Sequence, residues 1–168
     1  TPADIPALKV LMERSISLLL PAFLSPEEVT ASHEVMGLDT QLIADGTYFV
    51  IETEGAIAGC GGWSRRATLF GGDHTSGRDA ALLDPATEAA RVRAMYTDPD
   101  FTRRGVGRLI LSLCEARAAA EGFKRCEMAA TMGGEPLYAA CGYHRIEPFE
   151  AVTSNGVRVP LVRMGKAL

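Results

Sequence analysis

The segment from Arg91 to Gly122, RVRAMYTDPDFTRRGVGRLILSLCEARAAAEG, constrains the fold of this chain more than any other. Apolar and polar residues alternate at its start, with Val92, Ala94 and Tyr96 on one face, which is typical of a β-strand. Apolar residues then recur at helical spacing up to the final glycine, which favours the end of a helix. The segment therefore predicts a strand, a tight basic turn and a helix that begins in or just after residues 103–107.

The turn has the composition of an anion-binding site. The first N–H groups of a helix lack intrahelical partners and lie at the positive end of the helix dipole. Gly105 and Gly107 allow the backbone to approach a ligand closely, and Arg103, Arg104 and Arg108 add positive charge. A pyrophosphate fits such a turn, although a plain strand-to-helix turn with solvated arginines has the same sequence. The short glycine motif alone does not separate these two interpretations.

Residues 95–111, MYTDPDFTRRGVGRLIL, resemble the acetyl-CoA-binding motif of the GNAT superfamily of N-acetyltransferases. The family motif has Gln or Arg, two further residues, Gly, one residue, and Gly or Ala. It follows a strand that ends in a triplet such as Leu-Tyr-Val and a turn that contains proline. Here the triplet is Met95-Tyr96-Thr97 and the turn is Asp98-Pro99-Asp100. Thr102 departs from the motif because it stands where the family has Gln or Arg.

A second segment, EPLYAACGYHRI at residues 135–146, resembles the family's helix-to-strand segment with Leu137-Tyr138 and Gly142-Tyr143. The two motifs occur in the family's order, and together they are more specific than either alone. The resemblance covers the chain well from about Thr47 to the C-terminus and covers the N-terminal third only by pattern.

The resemblance implies that acetyl passes directly from acetyl-CoA to a primary amine. It places Met95 or a neighbour where a backbone N–H polarises the thioester carbonyl, and Thr97 where backbone bonds hold the pantetheine. Tyr138 lies where the family's tyrosine protonates the departing sulfur, and a phenol with a pKa of about 10 can do so at neutral pH. A tyrosine packed in a helix is the structural alternative. The predicted cofactor-binding residues are Met95, Tyr96, Thr97, Arg103, Arg104, Gly105, Val106, Gly107 and Arg108.

The order of predicted elements is two helices, three strands, a helix, a strand, a helix and two strands. This order predicts a single α+β domain of residues 1–168 with a mixed, mostly antiparallel sheet flanked by helices. The resemblance implies that the sheet is splayed at the central strand. A family strand normally precedes the first helix, so either such a strand is missing before Thr1 or the sheet begins differently. The second helix is predicted from Ser25, as N-cap, to about Ala44.

Residues 47–54 and 56–64 alternate as two strands of a hairpin around a Glu-Gly turn. Its second strand contains Gly59, Gly61 and Gly62, which predicts either a bulge or a close approach by another element. The irregular residues 65–88 are too long for an ordinary connection and are predicted to be a loop insertion, near the acceptor site or at the contact of a homodimer.

Composition excludes several classes of function. The net charge of -4 argues against nucleic acid as a partner, and no run of about 18 apolar residues predicts a membrane span. The chain opens without a signal-peptide pattern, so a cytoplasmic protein is expected. The cysteines lie singly in apolar patterns, which predicts reduced core thiols and no metal site; they are Cys60, Cys114, Cys126 and Cys141.

The sequence does not identify a general base. The central strand has no acidic residue, and none of the candidates for a proton relay stands out; these are His33, Glu34, Asp73, His74, Asp79 and Glu88. Arg65, Arg66 and Arg93 could attract an acidic amine or simply be solvated.

A small amine metabolite is the favoured acceptor, and a protein N-terminus or lysine is the alternative. A non-catalytic acyl-CoA-binding sensor or assembly module is the competing class of protein. A P-loop nucleotide-binding protein is disfavoured, because no Lys-Ser or Lys-Thr pair follows the glycines.

Overall fold

The computed structural model describes residues 1–168, which form five α-helices and six β-strands around one sheet. The elements are α1 (Ile5–Leu19), α2 (Pro26–Val35), α3 (Thr40–Ala44), β1 (Tyr48–Thr53), β2 (Ala56–Ser64), β3 (Ala90–Thr97), α4 (Val106–Ala120), β4 (Arg125–Thr131), α5 (Glu135–Ala140), β5 (His144–Val152) and β6 (Arg158–Ala167). Short 3-10 helices span Pro2–Asp4, Leu20–Ala22 and Pro99–Phe101.

The strand order is β1-β2-β3-β4-β6-β5, and every neighbouring pair is antiparallel except β3 and β4. The predicted single-domain α+β fold with a mixed sheet is therefore confirmed. β3 and β4 pair only through Ala90 with Cys126 and Arg91 with Glu127. The rest of β3 forms no ladder with β4, so the sheet is splayed at its centre, as the resemblance implies.

Two apolar cores cover the two faces of the sheet. The core on the α4 side includes Trp63, whose ring packs edge to face on Phe123 at 6.0 Å between centroids. The core on the other face includes α1 and α2 residues together with Tyr96. Helix α4 approaches β2 so closely that a Cβ atom on Gly59 would lie 2.6 Å from Val106 Cγ1. The glycines of β2 are therefore required by close packing, as their positions in a strand predicted.

The prediction of one helix from Ser25 to about Ala44 is wrong beyond residue 35. The predicted start is correct, because Ser25 accepts a hydrogen bond from the N–H of Glu28 at 3.3 Å. The helix then breaks at Gly37, whose φ of +144° is a conformation open mainly to glycine. A new helix, α3, begins after Asp39, which is its N-cap. The Asp39 side chain accepts a hydrogen bond from the N–H of Gln41 at 3.1 Å.

The predicted alternation along β3 is interrupted by a β-bulge. Val92 packs in the core on the α4 side, whereas Tyr96 packs in the core on the opposite face. Strict alternation would place both side chains on one face. Instead, the register shifts between Cys60 and Gly62 of β2, and Ala94 adopts a φ of +50°. The bulge adds one residue to β3, so the side chains beyond it point to the opposite face from the one that strict alternation predicts.

The four cysteines are free thiols, as predicted, and three of them are buried. Burial raises the pKa of Cys60 and of Cys126 to about 12, so both remain protonated at neutral pH. The described chain contains no group of three or more His, Cys, Asp or Glu side chains arranged to hold a metal ion. None of its helices combines the length and the apolar character that crossing a bilayer requires.

Candidate active site

The splay between β3 and β4 opens a cavity of about 90 Å³ at the centre of the sheet. Met95 and Tyr138 line it from the α4 side, and Tyr96 and Phe70 line it from the α1 side. The cavity therefore connects the two faces of the sheet through the gap. The unpaired edge of β3 borders it, and backbone groups on that edge are free to bind a ligand.

The bulge in β3 lies at this open edge and is held in place by a buried tyrosine. Ala94 is the strained residue, because a non-glycine residue at φ +50° costs of order 1–2 kcal/mol. The hydroxyl of Tyr48 donates a hydrogen bond to the Ala94 carbonyl at 2.7 Å. Desolvation raises the pKa of Tyr48 well above its ordinary value, so this hydroxyl keeps its proton. The bulge thus presents Met95 to the gap in a fixed conformation.

The turn before α4 has the geometry of an anion-binding site. Gly105 is the N-cap with a φ of +84°, and Arg103 also has a positive φ of +59°. The first helical hydrogen bond runs from the N–H of Leu109 to the Gly105 carbonyl at 2.9 Å. The N–H groups of residues 106–108 therefore have no partner within the helix.

The arginines of this turn differ from most arginines of the chain. Arg103, Arg104 and Arg108 are exposed and form none of the ion pairs in the structure. The Arg104 guanidinium lies 5.2 Å from the centroid of the Phe101 ring. Thr102, the residue that departs from the motif, donates its hydroxyl to the Pro99 carbonyl at 3.2 Å. Positive charge at the turn therefore comes from the three unpaired arginines.

The turn, the end of β3 and α5 meet at one point. A Cβ atom on Gly107 would lie 2.6 Å from Leu137 Cδ2 and 3.9 Å from Thr97 Oγ1. The predicted cofactor-binding residues Thr97 and Gly107 are thus neighbours, and α5 is packed directly against the start of α4. A ligand that reaches from the turn into the cavity would pass along the end of β3.

Tyr138 lies on α5 and lines the cavity together with Met95 and Tyr96. Its ring packs edge to face on Tyr143, with 6.3 Å between the centroids. Burial raises the pKa of Tyr138 above its ordinary value, so the phenol holds its proton across the neutral range. A protonated hydroxyl beside the gap is the arrangement that a general acid requires.

None of the six candidates for a proton relay lines the cavity, and most of them have local structural roles. His33 pairs with Glu13 at 3.3 Å, and His74 Nε2 contacts the His33 carbonyl at 2.9 Å. Asp73 accepts from the N–H of Thr40 at 3.0 Å. The remaining three also accept hydrogen bonds from backbone N–H groups: Glu34 from distant Ser154, Asp79 from Ala81 and Glu88 from Asp84.

The three arginines considered for substrate attraction are all paired with carboxylates. Arg65 binds Glu121 through two nitrogens at 2.8 and 2.6 Å. Arg66 binds Asp45 in the same way at 2.7 and 2.8 Å. The third, Arg93, is buried, with 4% of its surface exposed, and lies 2.9 Å from Asp39 Oδ2.

The sequence analysis did not predict the buried cluster around Arg93. This cluster binds the loop of residues 65–88 to Asp39, which lies between α2 and α3. Arg93 donates from Nη1 to the Thr68 carbonyl at 3.0 Å and from Nη2 to the Gly71 carbonyl. Asp39 also accepts from Arg78 of the same loop. No local pattern could have revealed this cluster, because its members come from three distant segments of the chain.

We expect Asp39→Asn to destabilise the protein by about 3–5 kcal/mol, because it leaves the buried Arg93 without a counter-ion. Asparagine keeps the size and the capping ability of Asp39, so the lost charge is the main change. Glu150→Gln is the control, since the Glu150–Arg158 pair is exposed and its loss costs less than about 1 kcal/mol. Urea unfolding measures the stability of both variants. Equal unfolding midpoints for the two would contradict the stabilising role of the Asp39–Arg93 pair.

The fold resembles solved acetyltransferase structures along its whole length. A GCN5-related N-acetyltransferase from Rhodopseudomonas palustris is 18% identical with a TM-score of 0.73, over 100% of this chain and 92% of that one. A phosphinothricin acetyltransferase from Sinorhizobium meliloti, solved with acetyl-CoA, is 17% identical with a TM-score of 0.64, over 100% and 85%. A ribosomal-protein-alanine N-acetyltransferase from Brucella melitensis is 18% identical with a TM-score of 0.64, over 100% and 96%. The comparison with curated protein sequences found no match.

The family to which this chain belongs is one of acyltransferases. The model of the acetyltransferase (GNAT) family matches residues 14–143, and the chain belongs to that family. The match includes the turn before α4 and the helix that carries Tyr138, and it ends at Tyr143 within the second segment on which the resemblance was based.

Proposed function

We propose that this protein transfers the acetyl group of acetyl-CoA to the primary amine of a small metabolite. The observation that carries the proposal is the shared cavity at the splay, which Tyr138 and the bulged edge of β3 both line. The turn before α4 lies beside it and offers free N–H groups and unpaired arginines. This donor set fits the pyrophosphate of coenzyme A.

In the proposed reaction the amine nitrogen forms a bond to the thioester carbonyl carbon, and the carbon–sulfur bond breaks. A backbone N–H on the open edge of β3, at Met95 or a neighbour, stabilises the charge that develops on the carbonyl oxygen. The sulfur leaves with its electron pair and takes the proton of the Tyr138 hydroxyl. The amine loses one proton to water, and Tyr138 regains one from water. The products are the N-acetylated amine and coenzyme A.

The site residues have separate tasks in this proposal. Residues 103–108 hold the pyrophosphate, with the arginines Arg103, Arg104 and Arg108 supplying charge and Gly105, Val106 and Gly107 supplying the backbone. The strand residues Met95, Tyr96 and Thr97 hold the pantetheine and the thioester in the gap. Tyr138 protonates the leaving group.

Release of coenzyme A in the presence of a panel of primary amines tests the proposal against its alternatives. Sustained, amine-dependent release with a small amine supports the proposed enzyme. Release only with peptides, through their N-terminus or a lysine, would indicate a protein acetyltransferase instead. Acetyl-CoA binding without release for any acceptor would indicate a non-catalytic acyl-CoA-binding module.

The pH dependence of kcat follows from the raised pKa of Tyr138. An ordinary phenol loses its proton near pH 10, which would give kcat a falling limb there. Because burial raises the pKa of Tyr138, the acid remains protonated at that pH, and we expect no falling limb up to pH 10. Steady-state rates between pH 6 and about 10 at saturating acetyl-CoA measure this. A decline in kcat that begins near pH 8, while the protein stays folded, would contradict the assignment.

A further inference from the structure

We propose that the acceptor is a primary amine carried on a short apolar group, and that Phe70 and Met36 select it. The inference rests on the proposed acetyl transfer and adds the class of acceptor to it. It follows from the walls of the cavity on the α1 side of the sheet, from the pairing of the nearest charges and from the volume of the cavity.

The walls on the α1 side are apolar and come from separate segments of the chain. The end of α2 supplies one wall, residues 69–71 of the long loop supply another, and β6 supplies Leu161. Phe70 is fixed against Phe149, with ring centroids 5.7 Å apart. The apolar side chains of this wall are Val35, Met36, Leu69, Phe70 and Leu161.

The cation beside these walls is already neutralised by a carboxylate. Arg93 is bound by Asp39, by the Thr68 carbonyl and by the Gly71 carbonyl. A carboxylate that enters the cavity would therefore be desolvated without an uncompensated cation beside it, which costs several kcal/mol. Polar side chains gather instead in a separate cavity of about 420 Å³, which Arg93 also borders.

The apolar walls also favour the reactive form of an amine. Desolvation destabilises an ammonium ion, so it lowers the pKa of an amine that enters the cavity and favours the neutral nucleophile. The cavity of about 90 Å³ is smaller than an engineered cavity of about 150 Å³ that holds benzene. The cavity therefore limits the acceptor to a short group.

Isoamylamine and leucine test the proposal most sharply, because leucine is isoamylamine with one added carboxylate. 1,4-Diaminobutane tests the effect of a second ammonium group in the same way. We expect kcat/KM for isoamylamine to exceed that for either charged amine by at least about 100-fold, because an unpaired charge is costly to desolvate. Leucine or 1,4-diaminobutane used as well as isoamylamine would overturn the proposal.

Two substitutions in the long loop test whether Phe70 contributes to the selection of the acceptor. We expect Phe70→Ala to raise the KM for isoamylamine by about 10-fold or more, because the apolar contact with the phenylalanine ring is lost, with little change in the KM for acetyl-CoA. Leu82→Ala is the matched control, since Leu82 is on the same loop but is 67% exposed and does not line the cavity. Equal effects of the two substitutions would contradict the role of Phe70.

Product binding separates failure of this inference from failure of the proposed function. Calorimetry with N-isoamylacetamide and N-acetylleucine, each in the presence of coenzyme A, needs no turnover. If no amine is acetylated, the proposed function fails, and tighter binding of N-isoamylacetamide would still support an apolar acceptor site. Equal binding, or tighter binding of N-acetylleucine, would overturn the inference whatever the activity.

Discussion

Tyr138→Phe is expected to lower kcat by about 100- to 10,000-fold while the dissociation constant of acetyl-CoA changes little, because only general acid catalysis is removed. Tyr138 lines the cavity that the open edge of β3 borders, and burial keeps its hydroxyl protonated. Phenylalanine retains the ring that packs on Tyr143, so the fold around α5 is preserved. Steady-state kinetics and acetyl-CoA titration on the same preparation measure both quantities.

Tyr143→Phe is the matched control for this substitution. Tyr143 is buried and packs edge to face on the ring of Tyr138, but it does not line the cavity. Its hydroxyl faces Glu115 and Cys126 and not the cavity, so its removal is expected to leave kcat within about twofold. Unchanged kcat in Tyr138→Phe, or equal losses in the two variants, would remove Tyr138 from the mechanism.

Gly105→Asp is expected to weaken acetyl-CoA binding by at least about 100-fold, since unit charges about 5 Å apart repel by about 3 kcal/mol near a protein surface. The side chain would be added in open space, because no atom lies within 4 Å of a Cβ built on Gly105. The loss would therefore come from charge and backbone strain and not from a steric clash with the protein.

Gly105→Asn separates charge from strain. Asparagine is nearly isosteric with aspartate and tolerates a positive φ such as the +84° of this residue. We expect it to weaken acetyl-CoA binding only a few-fold. Losses of equal size for the two variants in calorimetric titration would mean that the turn tolerates no side chain, and would contradict the proposed anion site.

The motif regions could be predicted from the sequence because their signals are local. The turn at residues 103–107 joins an alternating segment to a helical one, and the structure starts α4 at Val106 with Gly105 as its cap. The helix that carries Tyr138 starts with Glu135-Pro136, as helix-capping preferences predict. These features depend on neighbours within a few residues, which a single sequence contains.

The features that shape the acceptor side of the site depend on distant contacts, which a single sequence does not contain. The bulge at Ala94 depends on a hydrogen bond from Tyr48, on another strand. The burial of Arg93 depends on Asp39, which lies in the break that divides the predicted second helix. The sequence left open whether Arg93 attracts an acidic amine or is solvated, whereas its charge is neutralised by Asp39 inside the protein.

Calorimetric titration of the unmodified protein with acetyl-CoA, and separately with ATP, tests the central claim most directly. We predict binding of one acetyl-CoA per chain in the micromolar range and much weaker binding of ATP, which carries phosphates but no pantetheine for the end of β3. Absence of acetyl-CoA binding by the folded protein would contradict the assignment of residues 103–108 as a pyrophosphate site and the proposed acetyl transfer.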